Sequence, residues 1–155
     1  MYKTLLALLL TIPITASAVE FNSAFGIKFE EPYKGMTNNG EKMQVSPEIR
    51  DDSIFDNYSI QLDENNLVRG IFAEGLAHSK RKSCLDSIYT LASKFEQKYK
   101  DSFKREIGYD IAYFKSDKYV VYFMCFENNV MFSARINKKT KHLNWFYKLT
   151  MITSN

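Results

Sequence analysis

Two cysteines and a run of three basic residues are the parts of this chain whose types and spacing could do chemistry. The stretch HSKRKSCLDSIYTLASKFEQKYKDSF places Cys84 just after those bases, which are Lys80, Arg81 and Lys82. Positive charge and the N-terminal end of a helix both lower the pKa of a thiol, and the thiolate is the nucleophilic form. A reactive cysteine is therefore one interpretation of Cys84, and a disulfide to Cys125 is the other.

The pattern around the two cysteines favours the disulfide. Cys84 falls on the apolar stripe of a predicted helix, the side that faces the rest of the domain. Cys125 lies in the predicted strand YVVYFMCF, and both faces of that strand are apolar, so we expect a central strand covered on both sides. A bond between helix and sheet would close a loop of about 40 residues and contribute about 4 kcal/mol in the chain-entropy model. Two buried free thiols are a further alternative.

A catalytic thiol would also need a base, and the chain has only His78 and His142 to supply one. No papain-like or caspase-like sequence surrounds Cys84. The histidines and cysteines do not have the spacing of a zinc site, and the usual phosphate-loop, dinucleotide-binding, GxSxG and HExxH motifs are absent. We therefore predict no cofactor and no metal and name no catalytic residue, although a site assembled only by the fold stays open.

Two basic clusters could bind an anionic group on a partner. The first is the run at 80–82, beside the free backbone amides of a helix start. The second lies between the last two predicted elements and consists of Lys138, Lys139 and Lys141. Each cluster is equally consistent with a solvated surface, because short charge runs are common there. The sequence does not show whether the clusters share a face.

Aromatic residues alternate in the stretch 109–113 and cluster at 145–147. Packing in the core explains aromatic side chains in strands. A surplus on an exposed sheet face would instead indicate contact with a protein or a glycan. The exposure of these side chains decides between the two interpretations.

A predicted amphipathic helix is the element that positions Cys84. Its apolar positions from Cys84 to Phe103 recur mostly at three- and four-residue spacing, which is one face of a helix about 20 residues long. Ser83 and Asp86 have the spacing of a capping box, with Asp in place of the usual Glu or Gln. We therefore expect the helix to begin near Ser83.

The remaining elements are predicted to be strands. FGIKF alternates apolar and polar residues, and YSIQLDENNLVRGIFAEG is typical of a hairpin. A short strand is expected at 42–45, and YDIAYF, KYVVYFMCFE and VMFSARI predict an antiparallel meander. The segment 141–150 is either strand or helix. Together these elements predict an α+β fold, with one long amphipathic helix packed on a mostly antiparallel sheet in a single small domain.

The N-terminal sequence MYKTLLALLLTIPITASA has the basic start, short apolar run and small-residue end of a secretory signal peptide. We expect residues 1–18 to be removed and residues 19–155 to form one domain, with a flexible loop region at about 30–56. No later segment is long and apolar enough to span a bilayer, so no transmembrane segment is expected after cleavage. Export to the periplasm or the exterior of a bacterium also suits an even number of cysteines.

The formal net charge of +3 gives no general case for nucleic acid or an anionic membrane as partner. Small size, export, a predicted disulfide and no catalytic constellation favour a non-enzymatic protein-binding module, such as an inhibitor, an immunity protein or an envelope accessory factor. A small secreted enzyme and a structural component of the envelope are the alternatives. The organisation resembles that of small exported bacterial proteins, without a motif that implies an activity.

Overall fold

One helix and nine strands are present in the structure, a computed structural model that describes residues 20–51 and 53–137. The helix is α1 (Arg81–Tyr99), and the strands are β1 (Ser23–Ala24), β2 (Ile27–Lys28), β3 (Met43–Gln44), β4 (Phe55–Leu62), β5 (Val68–Ala77), β6 (Lys104–Ile107), β7 (Ile111–Lys115), β8 (Tyr119–Phe126) and β9 (Asn129–Ile136). Strands β3 to β9 form a seven-stranded sheet in the order β3-β4-β5-β9-β8-β7-β6, and β1 and β2 pair separately. All pairs are antiparallel, so the predicted α+β fold in a single small domain is confirmed.

The sheet joins two stretches that come from either side of α1. The first is the predicted β4–β5 hairpin, in whose turn Asn66 adopts the left-handed backbone with φ of 61°. The second is the predicted meander, preceded by a strand, β6, that the sequence did not predict. Three of the four residues of β6 are charged, which gives no apolar alternation and suits its place at the sheet edge. Strand β9 joins the two stretches because it pairs with both β5 and β8.

Helix α1 packs on one side of the sheet, over β7, β8 and β9. Its buried residues are Cys84, Ile88, Ala92 and Phe95, which follow the predicted apolar stripe. The length of 19 residues also agrees with the prediction. The sequence period therefore identified both the helix and the face that it buries.

The predicted capping box at the start of α1 is wrong. The helix begins at Arg81, and Lys80 occupies the N-cap position without a side-chain hydrogen bond to the helix. Ser83 is already in the first turn, where its backbone N–H donates to the carbonyl oxygen of Lys80 at 3.1 Å. Asp86 instead accepts a hydrogen bond from the Lys82 ammonium at 2.8 Å. Contacts with the rest of the domain, rather than a cap, fix this end of the helix.

The stretch FGIKF is not a single strand, as its alternation predicted, but the turn and second strand of the β1–β2 hairpin. Phe25 and Gly26 form the two-residue turn with φ of 53° and 75°, the conformation that a tight hairpin requires. The ring of Phe25 then packs edge-on against Phe55, Tyr58 and Phe132, with centroids 5.0 to 5.6 Å apart. The hairpin therefore covers the sheet beside α1.

Phe21 fills the corner between α1 and the sheet. Its side chain is 5% exposed. Its ring lies edge-on to the rings of Phe95, Tyr99, Phe103 and Tyr119, with centroid distances of 5.3 to 5.6 Å. The core therefore begins three residues after the predicted cleavage point at Ala18.

The region between the β1–β2 hairpin and β4 is tied to the sheet by backbone hydrogen bonds. The N–H of Glu30 donates to Val68, and the N–H of Val45 donates to Tyr58, both at 2.9 Å. Strand β3 lies within the predicted strand at 42–45 and pairs with β4. Gly75 in β5 passes so close to this region that a Cβ there would lie 2.0 Å from the backbone oxygen of Ile54.

Candidate functional site

The structure bonds Cys84 to Cys125, with Cα atoms 5.8 Å apart. The two residues are 0% and 3% exposed. The chain has no other cysteine, so neither thiol is free. The predicted disulfide is confirmed, and in this oxidised form Cys84 has no thiolate with which to attack a substrate.

The basic run ahead of Cys84 is largely neutralised within the domain. Arg81 forms an ion pair with Asp110, and Lys82 forms one with Asp86. The hydrogen bond from Lys82 to Asp86, and then the charge of that carboxylate, raise the pKa of Lys82. Lys80 is exposed and forms no ion pair with a described residue. Of the three bases, only Lys80 has no carboxylate partner among residues 20–51 and 53–137.

Several predicted features lie outside the described residues. They are the second basic cluster of Lys138, Lys139 and Lys141, the histidine at 142, the aromatic cluster at 145–147 and the undecided segment 141–150. The structure therefore does not test whether the two basic clusters share a face.

The two faces of the seven-stranded sheet differ in what covers them. The inner face packs under α1 and the β1–β2 hairpin. We call the other side the outer face. In β6, in β8 and in residues 70–74 of β5, the even-numbered residues lie on this face. In β7, in β9 and in residues 57–61 of β4, the odd-numbered residues lie on it. Within residues 20–51 and 53–137, no helix or strand packs over the outer face. Strand β8 was predicted to be covered on both sides, but the described elements cover it on the inner side only.

An aromatic row crosses the middle of the outer face. The strand registers place Phe72 opposite Ser133, Ser133 opposite Tyr122, and Tyr122 opposite Tyr113. Ser133 is 2% exposed, and its hydroxyl oxygen has no hydrogen-bond partner among the described residues. The two tyrosines are half-buried. Aromatic rings thus flank a buried hydroxyl group in the middle of this face.

An apolar row runs beside the aromatic row. It consists of Met131, Met124 and Ile111, which are opposite one another on β9, β8 and β7 and are all half-buried. Phe126 lies two residues beyond Met124 on the same side of β8, opposite Asn129, and is 53% exposed. Tyr109, which precedes β7, is 77% exposed. Part of the aromatic surplus seen in the sequence therefore lies outside the inner core.

A basic row borders the aromatic row on its other side. It consists of Lys42, which precedes β3, with Arg135, Lys115 and Lys104 on β9, β7 and β6. Val120 lies opposite both Arg135 and Lys115 and so separates them. Among the described residues, no carboxylate lies within 4.0 Å of any of these four cations. The row therefore presents unneutralised positive charge along one border of the outer face.

Two of these cations share one aromatic ring. The Lys42 ammonium lies 4.0 Å from the centroid of Phe72, and the Arg135 guanidinium carbon lies 4.8 Å from it. Burial and then the charge of Arg135 lower the pKa of Lys42, and the charge of Glu74 only partly opposes them. The Nε atom of Arg135 is buried without a hydrogen-bond partner among the described residues. An anion beside the two cations would relieve the repulsion between them.

The sequence alone did not predict that these residues form one continuous face. Its residues come from separate strands, and only the cross-strand register brings them side by side. The usable signal was the apolar character of both sides of β8, which the sequence did show.

The described residues contain no group of three or more His, Cys, Asp or Glu placed to hold a metal ion. No helix in the same part of the chain is long and apolar enough to cross a bilayer. The chain matches no protein-family model, no curated protein and no solved structure.

Proposed function

We propose that this protein is an exported, non-enzymatic protein-binding module, periplasmic or extracellular, and that its outer face is the contact surface. The observation that carries this proposal is the pair of aromatic and apolar rows on a sheet face that no described element covers. Monomeric proteins rarely keep an extended apolar patch without a partner for it. Tyr, Phe and Met are also the residue types enriched where proteins meet.

The dimensions of the outer face suit such a contact. When each strand is given its width of about 4.8 Å and each of the three rows its depth of about 6.7 Å, the seven strands and three rows form a face of about 34 by 20 Å. That is about 680 Å², close to the 800 Å² or so that one partner contributes to an interface of standard size. A flat face of this kind suits a macromolecule better than a small ligand, which binds in a concave pocket.

The disulfide supports the exported part of the proposal. Structural disulfides persist in oxidising compartments and are rare in a reducing cytosol. The position of Phe21 in the core agrees with a mature chain that starts shortly before it. Both observations are compatible with removal of residues 1–18 during export.

Site-specific photo-crosslinking in the native host tests the proposal. Benzoylphenylalanine replaces Tyr122 at the centre of the outer face or, as the matched control, Gln97 on the water-facing side of α1. We expect ultraviolet light to give a saturable adduct with another protein from position 122 and not from position 97. Competition by an excess of the unlabelled mature protein should abolish that adduct.

Two outcomes would contradict the proposal. One is the absence of any protein adduct from position 122. The other is an adduct, identified by peptide mapping, between position 122 and residues 138–155 of the same chain, because the outer face would then be covered internally.

A further inference from the structure

Lys104 and Lys115 form a like-charged pair at one end of the basic row. The register of β6 and β7 places them directly opposite each other, and both are exposed. Like charges in directly opposed positions destabilise a pair of strands. An anionic group held between the two ammonium groups would remove that repulsion and accept hydrogen bonds from both.

Lys42 and Arg135 form a second like-charged pair at the other end of the row. Both cations lie against the ring of Phe72, which is 6% exposed. A cation held on an aromatic ring keeps its charge while part of its hydration is lost. An anion that bridged these two cations would replace that lost hydration.

The two pairs are separated by about 17 Å, because the first centres between β6 and β7 and the second centres over β5. The aromatic row runs parallel to this line, about 6.7 Å away, and the apolar row lies beyond it. In an extended polypeptide, side chains on one side are four residues (about 14 Å) or six residues (about 20 Å) apart, and these spacings bracket 17 Å. A single segment could therefore place one acidic group on each pair while its apolar side chains meet the other two rows.

We infer that the outer face binds a polypeptide segment that presents two acidic groups, spaced by about 17 Å, beside apolar side chains. This inference rests on the proposed function and specifies the chemistry of the partner. Glu74 also lies on the outer face, in line with the apolar row and opposite Met131, and would repel a uniformly charged polyanion such as nucleic acid or a sulfated glycan. The segment 138–155 contains four lysines and no acidic residue, so it does not supply the missing negative charge.

Fluorescence anisotropy with synthetic peptides tests the inference on the full mature protein. The probe is a fluorescein-labelled 12-residue peptide of Leu and Thr, with a Glu pair at its third and fourth and at its eighth and ninth positions. One comparison peptide has Gln in place of Glu, a second has Gly and Ser in place of Leu, and a third brings the Glu pairs together. We expect the probe to bind at least about tenfold more tightly than each comparison peptide, and to weaken as salt is raised.

Charge-removing variants locate the binding. Lys104→Gln with Lys115→Gln should weaken the probe about tenfold, with an unchanged or higher melting temperature because a repulsive pair is lost. The matched control, Lys94→Gln with Lys100→Gln, removes the same charge near α1 and should change the affinity less than twofold. Equal binding of the Gln peptide would overturn the inference, and so would tighter binding of a heparin oligosaccharide or a single-stranded DNA 12-mer.

The failures of the inference and of the proposed function can be told apart. If the Glu peptide has no advantage while the adduct from position 122 persists in the Lys104→Gln, Lys115→Gln background, the inference is wrong and protein binding stands. If position 122 gives no protein adduct at all, the proposed function is wrong, and the inference falls with it.

Discussion

Reduction of the bond between Cys84 and Cys125 should lower the free energy of unfolding by about 4 kcal/mol. The two cysteines are 41 residues apart. In the chain-entropy model, a loop of that length removes about 4 kcal/mol of conformational freedom from the unfolded chain. The folded state should change little, because a free cysteine packs as a small apolar side chain. Nearly all of the effect should therefore come from the unfolded state.

Urea unfolding of the mature protein, followed by far-ultraviolet circular dichroism with and without reductant, measures this difference. With a denaturant slope of about 2 kcal/mol/M, the midpoint should fall by about 2 M on reduction. The melting temperature should fall by about 14 °C for a domain of this size. The double variant Cys84→Ala, Cys125→Ala is the control, since its midpoint should be low and should not respond to reductant.

A second measurement concerns the rate of reduction. Both sulfurs are buried, so reductant should reach them only when the domain opens. Alkylation of the released thiols should therefore be slow in buffer and faster near the unfolding midpoint. A midpoint shift below about 0.5 M would refute the loop-entropy argument, and rapid alkylation in buffer would refute the buried position of the bond.

Two further predictions concern single residues. Gly75→Ala should lower the free energy of unfolding by at least about 2 kcal/mol more than Gly35→Ala. A Cβ at position 75 would lie 2.0 Å from a backbone oxygen, whereas one at position 35 meets no atom within 4 Å and is penalised only by the φ of 70° there. Equal costs in urea unfolding would contradict the close approach. The backbone N–H of Leu67 and then the side chain of Arg69 hold the pKa of Asp63 below its usual value. The stabilisation from this carboxylate is therefore present at neutral pH. It begins to fall near pH 4, the usual pKa of the unfolded state, and is lost as the pH passes below the lowered pKa of the folded state. The cost of Asp63→Asn in urea unfolding should accordingly shrink between pH 7 and pH 2.5, and a constant cost would contradict this assignment.

Local signals predicted most of the fold. The spacing of apolar residues identified α1, and the asparagines after Leu62 identified the β4–β5 turn, since both signals depend only on neighbours in the chain. The pairing of Cys84 with Cys125 could be predicted because the chain has only two cysteines, and each falls on a surface that must be buried.

The errors arose where distant contacts decide the local structure. The alternation of apolar and polar residues in FGIKF is equally consistent with one strand and with a hairpin that turns at Gly26. The hairpin forms because the ring of Phe25 packs against the sheet. The start of α1 was predicted from a capping signal at Ser83, but the ion pair between Arg81 and Asp110 ties an earlier turn to the β6–β7 connection. Edge strand β6 had no apolar alternation by which to recognise it.

The candidate site was even less accessible from sequence. The basic row is formed by residues of three strands and of the segment before β3, and each of them alone is an ordinary surface charge. Two-residue periodicity assigns a residue to one side of its own strand but does not say which residue faces it on the next. The opposition of Lys104 and Lys115 could therefore be recognised only from the register.

Strand β9 is the last described strand along the chain, and yet it lies in the exact middle of the sheet, between β5 and β8. A growing chain that lacks β9 consists of two partial sheets, each with an unpaired edge able to associate with other chains. Folding must wait until residue 136 is available to join them. For a chain exported as proposed, the complete sheet can therefore form only after residue 136 has passed through the translocation channel.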